Sequence, residues 1–128
     1  MTSTSVYVDE TVSAEQLAAF ASYFRELDAE GVAIRRIGLE STGDVTIAYE
    51  IRDGDESDQV DELYFIAGAY LPVQARGHLG ELTATVYKDS EASTRWQVKR
   101  TWGTLYETGE WTDTTTLQHL RTTIEEVN

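Results

Sequence analysis

The sequence predicts an α+β fold: helix–strand–strand written twice, then two C-terminal helices, with a four-stranded antiparallel sheet carrying helices mainly on one face. Three observations predict it. Apolar residues recur at helical spacing in two long segments, and two pairs of alternating segments are each joined by turn chemistry. A shift of 49 residues then lays the second pair over the first, with Ile47 on Trp96 and Tyr49 on Val98. Hairpins interleaved with helices make a sheet covered from one side.

Residues 1–10 alternate weakly through Val6 and Val8 and form an N-terminal arm or an edge strand; residues 11–128 read as one domain. Ser13 and Gln16 form a capping box, Val12 can staple onto Leu17, and Leu17, Phe20, Ala21, Phe24 and Leu27 make an apolar stripe ending before Gly31. Val32–Glu40 is a strand whose apolar parity shifts, which predicts a bulge at Arg35–Arg36. After the turn Ser41-Thr42-Gly43-Asp44, the residues Val45, Ile47, Tyr49 and Ile51 alternate as a second strand. A helix from about Ser57 to Ala75 carries Pro72, which should kink it, with Gly68 one turn earlier easing the clash. Glu81–Lys88 and Thr94–Thr101 are strands around the turn Asp89–Ser93. A short helix follows at about Trp102–Thr108, and Asp113 caps a last helix with the stripe Leu117, Leu120, Ile124 and Val127.

Charge narrows the setting. Asp and Glu number 23 against 10 Lys and Arg, a net of −13, and only Lys88 and Lys99 are lysines. Such a surface repels itself in dilute buffer and is screened at molar salt, which points to a salt-in halophile and a cytoplasmic protein. Nucleic acid is disfavoured as a partner because phosphate contacts need local positive charge. The N-terminus has no basic region or apolar run, so no secretory signal is expected, and no stretch is apolar enough to span a membrane. Cysteine is absent, which removes disulfides, thiolate metal sites and cysteine nucleophiles together.

No motif assigns an activity. Asp53, Asp55 and Ser57 fall at calcium-loop spacing, but Asp58 stands where the loop needs glycine and Tyr64 where it needs glutamate. His78 and His119 lack partners at metal-ligand spacing, and no serine sits in a nucleophile elbow. No cofactor, metal ligand or catalytic residue is expected, and an enzyme using His78 or scattered carboxylates ranks last.

Two surfaces remain. The run Leu63–Val73 carries no charge. With Val60, Leu63, Ala67 and Leu71 toward the core, Phe65, Ala69, Tyr70 and Pro72 fall on other faces; they are covered by the C-terminal helices or form an interface with a second copy. In the last strand, parity puts Trp96 and Val98 on the core side, and Arg95, Gln97 and Lys99 on the other with Thr83, Thr85 and Tyr87. Tyr87, Arg95 and Lys99, with Lys88 and Arg100 near the strand ends, form a cationic area suited to a small anionic ligand. A pocket near Trp102 and Tyr106 is the other place for one.

The segments Tyr23–Val32, Ile66–Tyr70 and Arg95-Trp96-Gln97-Val98-Lys99-Arg100 through Gly109-Glu110 resemble small acidic haloarchaeal proteins of unknown function. That resemblance implies a halophilic origin and carries over no activity, cofactor or site residue. The reading from residues and resemblance together is a non-enzymatic interaction module, homodimeric through the second helix or a sheet edge. The alternative is an anionic-ligand-binding domain.

Overall fold

The computed structural model describes residues 4–51 and 56–127, with side chains in the second helix described from Gln59 onward. The elements run β1 (Ser5–Val8), α1 (Ala14–Ala29), β2 (Ala33–Leu39), β3 (Val45–Glu50), α2 (Glu56–Ala75), β4 (Leu82–Lys88), β5 (Glu91–Val98), α3 (Trp102–Glu107), α4 (Asp113–Thr122) and β6 (Glu125–Glu126). Asp53, Asp55 and the side chains of Ser57 and Asp58, on which the calcium-loop comparison turns, lie outside the described residues.

The fold is α+β, but its sheet corrects the four-stranded antiparallel expectation. Six strands pair in chain order, β1-β2-β3-β4-β5-β6. The two expected hairpins, β2–β3 and β4–β5, are antiparallel, as is β5–β6. β1–β2 and β3–β4 are parallel. The cause is helix length: α1 and α2 each run back along the sheet, so the following strand starts from the same end as the preceding one.

Both crossover helices lie on one face. The Tyr23 hydroxyl of α1 donates to the Ile66 carbonyl of α2 at 2.9 Å, and the Tyr23 and Tyr70 rings meet edge to face with centroids 5.1 Å apart. The β1–β2 and β3–β4 pairs point in opposite directions while the chain advances the same way across the sheet. The two crossovers therefore have opposite hands, and one is the left-handed form adopted by only about 2 % of parallel connections. The core lies between these helices and the sheet face bearing Ile37, Leu39, Val45, Ile47, Tyr49, Leu82, Ala84, Trp96 and Val98. Trp96 is fully buried there, as strand parity predicts, and its indole N–H donates to the Tyr49 hydroxyl at 2.9 Å. Burial raises the Tyr23, Tyr49 and Tyr70 phenols well above the ordinary range, so all three stay neutral at physiological pH.

Local chemistry explains most element boundaries. The capping box forms: Ser13 Oγ accepts from the Gln16 N–H at 3.1 Å, and Gln16 Oε1 accepts from the Ser13 N–H at 2.8 Å. The buried stripe of α1 is Ala19, Phe20, Tyr23 and Leu27, whereas Leu17, expected inside, is 45 % exposed. The bulge in β2 falls between Ile34 and Arg36. Asp89 and Ser90 adopt φ of 51° and 67°, a two-residue hairpin turn matched to the strand twist, so β5 starts at Glu91 and not at Thr94. α2 continues through Pro72 and turns Val60 outward.

The last helix is capped by Thr112, with Asp113 its first helical residue. It stops short of Ile124 and Val127. The Thr123 hydroxyl donates to the Leu120 carbonyl at 2.7 Å and accepts from the Gln97 N–H at 2.9 Å. The β-branched run Thr122-Thr123-Ile124 weakens the helix at that point, and Glu125–Glu126 pairs with β5 instead.

Candidate functional site

The sheet face away from the core carries a continuous cross-strand row: Ser5, Arg36, Ala48, Thr85, Arg95 and Glu125. Beside it, Glu50 pairs with Tyr87. The Arg35 guanidinium sits 4.2 Å above the Tyr87 ring and meets Glu50 Oε1 at 3.1 Å. Arg95 approaches Glu125 at 3.9 Å, both exposed, a pair contributing about 0–1 kcal/mol.

The three predicted residues do not converge. Tyr87 stands opposite Ala92 near the hairpin turn, while Lys99 lies seven residues beyond Ala92, roughly 23 Å along the strand direction. Lys99 donates to Gln97 Oε1 at 2.6 Å. Arg100 pairs with Asp44 at 3.0 Å. What the fold does bring to this face is Arg35, set against Tyr87, and Arg36, three interstrand steps or roughly 14 Å along the row from Arg95. These cations were missed because they join that face only through the parallel β3–β4 junction.

The second predicted surface is largely enclosed within the chain. Tyr70 is fully buried and its hydroxyl donates to the Gly80 carbonyl at 2.8 Å. Ala69 is buried, Phe65 packs against the core and Pro72 is half-buried. α1 covers one flank of α2 through Tyr23, and α3 covers its C-terminal half, where the Gly103 N–H donates to Gln74 Oε1 at 2.7 Å.

A cleft of about 290 Å³ opens between α2 and α4 and is closed at one end by α3. Its walls are Tyr64, Gly68 and Leu71 from α2, Tyr106 from α3, and Asp113, Thr116, Leu117 and Leu120 from α4. Tyr106, expected near a pocket, lines it; Trp102 instead packs with Trp111 at 5.5 Å between centroids, and His119 stacks on Trp111 at 4.0 Å. The Tyr106 hydroxyl donates to Asp113 Oδ1 at 2.7 Å, which raises that phenol above its ordinary value. On α4, the residue after Leu120, Arg121, donates through Nε to the Tyr64 hydroxyl at 3.0 Å.

Gly68 sits mid-helix, where glycine costs roughly 1 kcal/mol against alanine. A Cβ there would meet nothing within 4 Å, so close packing does not require glycine at this position. Pro72 has no N–H for the Gly68 carbonyl, which leaves that acceptor without its helical partner.

A family model described as a domain of unknown function, DUF8159, matches residues 5–128. The chain belongs to that family. No curated protein and no solved structure matches it. Membership of DUF8159 supplies no residue roles, so the sites of this domain rest on geometry. Among the described residues, no group of three His, Cys, Asp or Glu is placed to hold a metal ion, and no helix is long and apolar enough to cross a membrane.

Proposed function

We propose that the protein is a non-enzymatic interaction module that dimerises by joining the β1 edges of two copies. The observation that supports this reading is β1 itself. Val6 and Val8 are 53 % and 36 % exposed although their register with Ile37 and Leu39 puts them on the core side of the sheet. Tyr7, on the other face, is 51 % exposed. An uncovered apolar edge offers unpaired N–H and C=O groups to another strand. The opposite edge, β6, is two exposed glutamates, too short and too charged to receive it. Two-fold antiparallel pairing of β1 with β1 satisfies both edges alike.

The acid excess and scarcity of lysine support a haloarchaeal, cytoplasmic setting for this dimer. In molar salt the chain should run at twice its 14.4 kDa mass, and the Val6→Lys/Val8→Lys variant should run as a monomer that keeps its circular dichroism. Dilution to low salt should unfold both. A wild-type monomer at molar salt would remove the dimer, and full stability in dilute buffer would remove the habitat.

A second reading, an anionic ligand on the open sheet face, draws support from Arg35 and Arg36 joining Tyr87 and Arg95 there. Lys99 is a peripheral contributor in this reading. Titration with citrate should give binding that Arg36→Ser/Arg95→Ser abolishes; unchanged binding in that variant would sink the idea.

A further inference from the structure

We infer that the cleft between α2 and α4 binds a small organic cation, a protonated primary amine on an apolar body. The small size follows from the cavity, about 290 Å³, which stands at the lower end of the range of small-molecule sites. The apolar body is matched by Leu71, Leu117 and Leu120, with the Tyr64 and Tyr106 rings as flanking walls. Clefts of this kind, apolar with a few convergent polar groups, are the usual form of small-molecule sites.

The charge follows from the polar groups. Asp113 places a carboxylate at the α3 end. One oxygen is held by the Tyr106 hydroxyl, and among the described residues no hydrogen bond reaches Oδ2. Tyrosine faces and a carboxylate together recognise an ammonium group. Gly68 lines the same wall, and its carbonyl receives no helical N–H from Pro72. Arg121 on Tyr64 supplies positive charge toward the other end, which directs an amine toward Asp113 and not toward Tyr64. Glycine at 68 then has a reason that close packing does not give: it leaves the space that a side chain would fill.

The test uses the full chain at the salt concentration where it is folded, with 2-phenylethylamine and 2-phenylethanol as probes, followed by amide chemical shifts. The amine should perturb Gly68, Leu117 and Tyr106 and bind about tenfold more tightly than the alcohol. Asp113→Asn keeps an acceptor for the Tyr106 hydroxyl and should bring the amine down to the alcohol's affinity. Gly68→Leu, a change toward a better helix former, should abolish binding of both while the spectrum stays dispersed. Equal affinity of amine and alcohol in the wild type would overturn the cation assignment. Shifts confined to other surfaces, or unchanged binding in Gly68→Leu, would overturn the site.

Discussion

Replacing Gly103 by alanine is expected to destabilise the protein by about 3 kcal/mol, seen as a lower denaturation midpoint at an unchanged slope. α3 meets α2 at this residue. A Cβ on Gly103 would run into the Leu71 carbonyl, and would stand 2.8 Å from Gln74 Oε1 and 3.0 Å from the Ala75 nitrogen. Two of those three atoms are helix backbone and cannot step aside. α3 must lift, and the Gly103 N–H then loses its 2.7 Å bond to Gln74. A midpoint equal to wild type would show that the two helices do not approach as closely as described.

Gln74→Leu should cost about 2 kcal/mol, although it keeps the side-chain volume nearly constant. Gln74 is buried and serves three backbone groups. Its Nε2 donates to the Gly80 and Lys99 carbonyls, each at 2.9 Å, and its Oε1 accepts from Gly103. Leucine would leave the buried Gly103 N–H without a partner, at about 1–3 kcal/mol, and would leave the Lys99 carbonyl with only the Trp102 N–H at 3.3 Å. The Gly80 carbonyl would keep the Tyr70 hydroxyl. Urea unfolding of Gln74→Leu beside Gln74→Glu separates the effects, since glutamate retains the acceptor for Gly103; a loss under 1 kcal/mol for leucine would contradict this account.

Local rules carried much of the fold. The Ser13–Gln16 box, the β2 bulge and the inward parity of Trp96 each depend on residues within a few positions of one another, and all three stand in the structure. Where longer range decided, the sequence was a poorer guide. Helical spacing admits Leu17 and Val60 to the apolar stripes as readily as Tyr23 and Ile66; which ones are buried depends on where α1 and α2 touch. β6 was invisible because Glu125-Glu126 has no strand pattern, and its pairing follows from the Thr123 contact with Gln97.

The site followed the same division. Tyr106 could be placed near a pocket from its position on a short apolar helix, but Asp113 read only as a cap. Its meeting with Tyr106 requires the turn between α3 and α4. Gly68 was noticed in the sequence and explained by Pro72 alone. The open space beside it could not be read from the chain.

Sheet order that equals chain order has a consequence for how the molecule is made. No strand has to be inserted between two already paired, so each can dock on a growing edge as it leaves the ribosome. Synthesis and assembly can proceed in the same direction. The two parallel pairings set the pace, because β2 and β4 reach their partners only after the whole of α1 or α2 has been made, and such non-local pairing is intrinsically slow. The same order also separates the chain ends: five interstrand steps of about 4.8 Å put β1 and β6 roughly 24 Å apart. A circularly permuted version would therefore need a linker long enough to cross the sheet.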